Sequence, residues 1–267
     1  MVLVDAVRTL WTHRFLAFRL AERDISSRWR GSLLGPLWGI ASPLLLLAVY
    51  SFVFGLIFKS RWPSVGDRSP PFALVLFSGL ILFQLFSETV NAAPGVVRGN
   101  ASFVKQIVFP LEILPFVGLL VAMFNAGVSS LVLLAGYLIL FGIPPLTVLW
   151  LPVIALPLPF FALGVAWFLA ALGTFVRDTV QITALLTTIL MFMSPVFYSL
   201  DGVPESYRAV VRWNPLTTII NDGRAALFFD VAPSPWPLVL ATLGSLAAFE
   251  LGFRFFRHMK DGFADVV

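Results

Sequence analysis

Long stretches without a charged residue alternate with short charged segments along this chain. The charge-free stretches run over 33–58, 72–87, 113–176, 179–200 and 231–249. A membrane-spanning helix needs about 20 consecutive apolar residues, whereas a strand of a membrane β-barrel alternates in polarity over about 10 residues. The stretches are continuous and long, so the pattern predicts membrane-spanning α-helices.

The stretch over 113–176 is too long for a single span. It contains "FGIPPLT" at 141–147, where Gly142, Pro144 and Pro145 end a helix and favour a turn. The predicted fold is therefore an all-α membrane protein with a single transmembrane domain over 31–267. Its six predicted spans cover about 33–58, 72–92, 113–141, 149–176, 179–200 and 235–256.

Composition and charge agree with this interpretation and orient the chain. Only 12% of residues are charged, against about 25% in soluble domains, so most of the surface must face lipid. Twelve of the 18 lysines and arginines fall in residues 1–32, in the loops after the second and fourth spans, and in the tail. By the positive-inside rule that side is cytoplasmic. We expect a multi-pass membrane protein with both termini in the cytoplasm.

Three segments are not predicted to span the membrane. Residues 1–30 predict an amphipathic helix lying in the membrane plane, since its apolar and charged residues fall on opposite sides. Its apolar stripe comprises Leu3, Val7, Trp11, Phe15, Phe18, Ile25 and Trp29. Residues 93–112 mix apolar with basic residues and suit a short cytoplasmic helix that couples to a soluble partner. Residues 201–230 are amphipathic but too charged to span, which predicts short re-entrant helices in the outer leaflet.

The residues offer little for enzyme chemistry. The chain has no cysteine, and His13 and His258 are far apart, so we expect no disulfide and no metal site. No phosphate-binding loop, serine-hydrolase motif or zinc-protease motif occurs. We therefore expect a non-enzyme without a cofactor of its own, and no nucleic-acid partner. Glu88 and Glu250 lie near the inner ends of spans, where interfacial anchoring is the simplest interpretation.

Small residues recur every fourth position in two spans. They are Ala162, Ala166 and Ala170 in one span, and Gly244, Ala248 and Gly252 in the other. Such ridges let helices approach closely. From the sequence they fit either internal packing or a dimer seam.

The segment "RDISSRWRGSLLGPLWGIASP" at 23–43 resembles the start of the ABC-2 type permeases that export O-antigen, capsule and teichoic acid. The matching positions are Arg28, Arg30, Gly31, Ser32, Leu34, Gly35, Leu37, Trp38 and Pro43. Ser42 stands where that family usually has asparagine. "FVKQIVFPLEILP" at 103–115, "SPVFYSLDGVP" at 194–204 and "WNPLT" at 213–217 extend the resemblance over nearly the whole chain.

The resemblance implies a homodimer that binds two ATP-binding subunits, and those subunits would carry the ATP and Mg. It also implies a lipid-linked polysaccharide as cargo, above all O-antigen. The implied contacts with those ATPase subunits are Arg23, Asp24, Arg28, Arg30, Arg98, Lys105, Arg177 and Asp178. Candidates for the channel lining are Trp38, Tyr50, Phe54, Phe192 and Tyr198, and those for its exit are Tyr207, Arg212, Trp213, Asn214 and Pro215. The alternatives are an ABC-2 exporter of another substrate and an ATP-independent flippase. A flippase would need an ionisable residue at mid-membrane, and no such residue is evident in the sequence.

Overall fold

The computed structural model describes residues 2–28, 30–32, 34–63, 70–104 and 109–266. Within these ranges every regular element is helical, which confirms the predicted all-α class. Five of the described helices are long and apolar enough to cross a membrane: Trp38–Ile57, Phe72–Gly99, Ile113–Leu140, Leu146–Phe175 and Pro235–Gly262. The predicted residues Trp29, Leu33 and Lys105 lie outside the described ranges.

The α-helices are numbered in chain order. They are α1 (Val2–Thr12), α2 (Arg14–Arg28), α3 (Trp38–Tyr50), α4 (Phe72–Ala92), α5 (Val96–Gly99), α6 (Ala101–Val104), α7 (Ile113–Leu140), α8 (Leu151–Ala155), α9 (Pro157–Phe175), α10 (Thr179–Met193), α11 (Glu205–Trp213), α12 (Pro215–Phe228) and α13 (Pro235–Met259). A π-helical segment, Ser51–Ile57, continues α3, and a 3₁₀ turn, Leu146–Trp150, precedes α8.

Helix α10 is shorter than the span predicted over 179–200. It has 15 residues, or about 22 Å at 1.5 Å per residue, against a hydrocarbon core of about 30 Å. The helix ends because Pro195 forces Ser194 out of the helical region, to φ −93° and ψ 147°. The charge-free stretch is therefore longer than the helix it contains, and the span predicted from it was too long.

The amino-terminal segment forms two helices, α1 and α2, that meet at His13, rather than the single helix that was predicted. Of the predicted stripe, Val7, Trp11, Phe15 and Phe18 are exposed, with Trp11 at 68% and Phe15 at 70%, whereas Ile25 is partly buried. The side that packs on α7 instead carries Ala17 and Ala21, which are buried. This segment therefore contacts protein through small residues and leaves its aromatic residues uncovered.

The core is densest where α9 packs against α13. Trp167 of α9 lies edge-on to Phe249 and Phe253 of α13, each with its ring centroid 4.9 Å away. A Cβ at Gly252 would lie 1.9 Å from the backbone oxygen of Gly164, so the two backbones touch. Ala162, Ala166 and Ala170 are also fully buried. This alanine ridge therefore serves internal packing.

The bundle has two ends with different chemistry. At one end, which we call the terminal end, α1 meets the end of α13, and Asp5 lies 3.5 Å from Arg257. At the opposite end, the far end, α12 packs on the start of α4, and Thr147 donates a hydrogen bond to the backbone oxygen of Ala226. The predicted contacts with ATPase subunits that lie in the described ranges belong to the terminal end, and the predicted exit residues belong to the far end.

Candidate functional site

The terminal end contains an ion pair that ties three helices together. Arg28 of α2 lies 2.6 Å from the carboxylate of Glu88 on α4. Asn125 of α7 donates its amide to both oxygens of the same carboxylate, at 2.8 and 2.9 Å. Glu88 therefore holds the amino-terminal segment to the bundle. Sequence reasoning identified Arg28 and Glu88 separately but not the pair, because the two residues are distant in sequence.

Arg98 is bound within the chain. Its guanidinium donates to the backbone oxygen of Thr174 at 3.0 and 2.7 Å, near the carboxyl end of α9. Next to it, a Cβ at Gly173 would lie 2.2 Å from the backbone oxygen of Pro94, so 93–99 is pressed against α9. Arg98 therefore fixes the position of this segment rather than extending into solvent.

Other charged residues of the terminal end are open to solvent. Arg177 and Asp178 are exposed in the turn between α9 and α10, and Arg30 is exposed beyond α2. Arg23 and Asp24 pair with each other at 2.9 Å and stay about half exposed. These five residues give the terminal end a charged surface of both signs.

The predicted channel aromatics fall into two groups. Tyr50 and Phe54 pack together, with 6.3 Å between ring centroids, and Phe54 stacks on Phe72 at 5.3 Å. At the end of α10, Tyr198 donates a hydrogen bond to the backbone oxygen of Phe192 at 3.2 Å. Trp38 is exposed at the start of α3. No ring contact among the described residues joins the two groups.

The helices that carry these aromatics are poorly covered by the rest of the chain. The span over Trp38–Ile57 is only 11% buried, the lowest share of the five candidate spans. Helix α10 buries Thr179, Thr183 and Thr187 and exposes its large apolar residues. Both helices therefore present apolar faces that no described residue of the chain covers.

At the far end a buried arginine holds several segments together. Arg224 of α12 is 3% exposed. It donates to the backbone oxygens of Val75 at 3.0 Å, of Val196 at 2.6 Å and of Pro195. Its guanidinium also lies 4.5 Å from the ring centroid of Trp62, and burial lowers the pKa of Arg224 to about 9.

In the sequence, Arg224 is one of the six lysines and arginines that do not belong to the cytoplasmic twelve, and the charge count assigns it to the outer side. The available signal was its place on the apolar side of α12, with Ile220 one turn before it and Phe228 one turn after. A charge within such a stripe indicates either an inward-facing cation or a helix end. Only the fold places three backbone carbonyls around it.

The predicted exit residues take different positions. Asn214 caps α12, because its side-chain oxygen accepts from the Leu216 N–H at 3.0 Å while its amide donates to Ser194 at 2.8 Å. Arg212, Trp213 and Pro215 line a cavity of about 830 Å³. Tyr207 is exposed and lies outside that lining.

Besides Thr217, Thr218 and Ser234, the cavity is lined by two polar residues that sequence reasoning missed, Asn221 and Asp222. Both lie on α12 within "TTIINDGR", which was interpreted only as part of an amphipathic segment. Burial raises the pKa of Asp222 to about 6. Within the described ranges, no group of three or more histidine, aspartate or glutamate side chains is placed to hold a metal ion.

The sequence is similar to those of known transport proteins. The family model for the ABC-2 type transporter matches residues 16–228. An O-antigen export system permease protein, RfbA, of Klebsiella pneumoniae is 26% identical over 250 residues, which is 93% of each chain. The RfbA protein of Myxococcus xanthus is 26% identical over 267 residues, 99% of this chain and 100% of that one. The polysialic acid transport protein KpsM of Escherichia coli is 24% identical over 245 residues, 90% of this chain and 91% of that one.

Proposed function

Because this chain belongs to the ABC-2 type transporter family, we propose that it is the permease subunit of an ATP-driven polysaccharide exporter. The observation that carries this conclusion is the similarity, along almost the full length of the chain, to permeases named for O-antigen export and polysialic acid transport. The chain is a multi-pass membrane protein. Its residues bind and guide the cargo, while another subunit provides the energy.

ATP and Mg bind to a separate subunit in this proposal, with two such subunits in each complex. The sequence supports this division, since no phosphate-binding loop is present in it. The ATPase subunits dock on the charged surface of the terminal end, where Arg177, Asp178 and Arg30 are exposed. Arg28 and Arg98 lie behind that surface and transmit movement, because each links it to the spanning helices.

Two copies of the chain form the channel in this proposal. The exposed apolar faces of α3 and α10 support it, because they lack a partner in the described part of the chain. Helix α3 with its π-helical continuation carries Trp38, Tyr50 and Phe54, and α10 carries Phe192. Helices α11 and α12 shape the exit, and α10 with the residues after it provides the sixth span. The terminal end faces the cytoplasm, and the complex lies in the bacterial inner membrane.

The proposed cargo is a lipid-linked polysaccharide, with O-antigen as the expected polymer. The permeases named for O-antigen export match slightly more of this chain than the polysialic acid transporter does. A capsular polymer is the second candidate, supported by that transporter.

The first test is co-purification. The tagged chain is expressed together with the genes that neighbour its own and is extracted in a mild detergent. We expect an ATP-binding subunit to accompany it in equal numbers and to hydrolyse ATP. A chain that is stable alone and moves lipid-linked sugar without a partner would overturn the proposal in favour of a flippase.

Charge reversal locates the docking surface. Arg177→Glu should reduce recovery of the ATPase several-fold, because the exposed cation is replaced by an anion at a protein contact. Arg61→Glu is the matched control, since Arg61 is also exposed but lies beside Trp62 at the far end. Equal recovery with both variants, with normal export, would show that the ATPase docks elsewhere.

Transfer into two host strains identifies the cargo. One host lacks its own O-antigen permease and the other lacks its capsule permease. Each receives the permease with its ATPase, and surface polysaccharide is then measured. Restoration of O-antigen alone supports the expected cargo, whereas restoration of capsule alone supports the second candidate.

A further inference from the structure

The residues that follow α13 fold back onto the bundle at the terminal end. They form a 3₁₀ turn, Lys260–Gly262, and the next residue, Phe263, is fully buried. The Phe263 ring centroid lies 5.3 Å from that of Phe256 in α13 and 5.8 Å from that of Phe175 at the end of α9. This turn is therefore packed against the ends of both helices.

Lys260 of this turn forms an ion pair with Glu112, the last residue of the segment over 93–112. Its Nζ donates to Oε1 of Glu112 at 2.9 Å. Glu112 is only 7% exposed, so solvent and salt screen this pair less than a surface pair. The backbone oxygen of Glu112 also accepts from the indole N–H of Trp167 at 2.9 Å. The end of the segment is thus fixed both to α9 and to the residue that follows α13.

The beginning of the same segment is fixed as well. Arg98 donates to the backbone oxygen of Thr174 near the end of α9. Between the two ends, the ring of Phe103 stacks on that of Phe109, with 4.3 Å between centroids and 9° between planes. The described parts of segment 93–112 are therefore joined to each other and anchored to the bundle at two points, Arg98 and Glu112.

Both anchors bear on the most closely packed pair of helices in the bundle. Helices α9 and α13 touch backbone to backbone at Gly164 and Gly252. Close-packed protein interiors have low compressibility and transmit strain. A displacement of segment 93–112 that is held at both ends therefore shifts α9 and α13 together. If one anchor is lost, the segment can pivot about the other and the helices stay in place.

We propose that Lys260 is a positioning residue for transport, because it fixes the second end of segment 93–112 through Glu112. The inference rests on the proposed function, since it requires an ATPase subunit that displaces this segment. Lys260 acts on the transmission of movement and touches neither nucleotide nor cargo. Without its ammonium group, ATP hydrolysis continues while less polymer crosses the membrane for each ATP.

The ratio of polymer moved to ATP hydrolysed tests this role. It is measured on the permease with its ATPase, in inside-out membrane vesicles from the host whose surface polysaccharide the permease restores. Polymer inside the vesicles is protected from added periodate, and released phosphate reports hydrolysis above that of vesicles without the complex. A residue that only stabilises the fold lowers the amount of complex, and so lowers both quantities together and leaves their ratio unchanged.

We expect Lys260→Ala to lower this ratio roughly fivefold, a typical size for loss of a coupling contact. Recovery of the ATPase with the permease should stay close to that of the wild type, because the exposed Arg177 and Asp178 are untouched. Lys260→Gln removes the charge and keeps a hydrogen-bond donor, so it provides the same measurement if Lys260→Ala does not assemble. Arg254→Ala is the matched control, since Arg254 pairs with Glu250 within α13 and should leave the ratio unchanged.

A charge swap tests whether Lys260 acts through Glu112. Lys260→Glu and Glu112→Lys each bring like charges together, whereas the double variant restores an ion pair between the same two positions. The double variant should therefore recover most of the wild-type ratio.

A double variant no better than the single ones would overturn the inference. An unchanged ratio in assembled Lys260→Ala or Lys260→Gln complexes would do the same, and in both cases the proposed function stands, because the wild-type complex still moves polymer. Wild-type vesicles that contain no ATPase subunit and move no polymer would instead overturn the proposed function, and this inference with it.

Discussion

At the scale of single residues, Arg224 is the most consequential side chain of the far end. It joins α12 to the start of α4 and to the segment after α10 through three backbone carbonyls. Hydrogen bonds from charged groups contribute about 1.5–3 kcal/mol each, against about 0–1 kcal/mol for a surface ion pair. The packing around it is equally restrictive, since a Cβ at Gly79 would lie 2.3 Å from its guanidinium.

We expect Arg224→Lys to lower the melting temperature by about 5–10 °C, because lysine keeps the charge but cannot reach three carbonyls at once. The measurement is thermal unfolding of the purified protein in detergent, followed by size-exclusion fluorescence. Arg61→Lys, at an exposed site of the same end, should leave the melting temperature unchanged. Equal behaviour of the two variants would contradict a structural role for Arg224.

Asp222 should make stability depend on pH. Its folded pKa, about 6, lies above its usual value of about 3.9, because burial disfavours the ionised carboxylate. The folded state therefore binds more protons than the unfolded state between about pH 4 and pH 6. The stability that the neutral form contributes is present below about pH 4 and is lost as pH rises through 6.

Asp222→Asn removes the ionisation without removing the polar group. Relative to the wild type, it should raise the melting temperature at pH 7.5, and this advantage should shrink at pH 4.5. The thermal assay used for Arg224 measures both values. Asp201→Asn, an exposed aspartate of the same far-end segment, serves as the control. An Asp222→Asn effect that is the same at both pH values would contradict the shifted pKa.

At the scale of helices, close backbone contact decides how α9 and α13 pack. Gly252 of α13 touches Gly164 of α9, whereas Gly244 of the same helix has nothing within 4 Å of its would-be Cβ. In the sequence, Gly244, Ala248 and Gly252 recur at every fourth position, so the pattern predicts the same packing role for all three. The fold separates them, because α13 turns one toward α9 and the other toward the cavity.

Gly252→Ala should therefore lower the melting temperature by several degrees, because backbone must move to admit the methyl group. Gly244→Ala should leave it unchanged or raise it slightly, since alanine favours a helix by about 0.5–1 kcal/mol over glycine. Thermal unfolding in detergent compares the two variants directly. A similar loss of melting temperature in both variants would show that the close contact between α9 and α13 does not distinguish Gly252 from Gly244.

At the scale of the whole molecule, the uncovered apolar faces of α3 and α10 are the proposed contacts between two copies of the chain. The chain is naturally free of cysteine, so a single introduced thiol reports on a symmetric contact without further engineering. Leu185 of α10 is 62% exposed and Leu131 of α7 is 68% exposed, so the two positions differ in location rather than in exposure.

If two copies meet through α10, Leu185→Cys should form a disulfide-linked dimer in native membranes under mild oxidation. Leu131→Cys should stay monomeric, because α7 is not one of the helices proposed to meet in the dimer. Non-reducing gels measure both. Cross-linking at Leu131 without cross-linking at Leu185 would place the dimer interface on another face.

The sequence by itself determined the helical class, the position of most long helices and the turn at 141–147. These features depend on local properties: the length of apolar stretches, the absence of charge, and the effect of glycine and proline on the backbone. The span predicted over 179–200 was too long, because Pro195 ends the helix within this charge-free stretch.

The tertiary structure alone decided which polar groups meet. Arg28 with Glu88, Arg98 with Thr174 and Arg224 with Val75 join residues far apart in the chain, and their partners are placed by packing rather than by sequence spacing. The same holds for the far-end cavity. Burial and hydrogen bonding depend on the neighbours that folding brings together, whereas hydrophobic periodicity records only the side of a helix on which each residue lies.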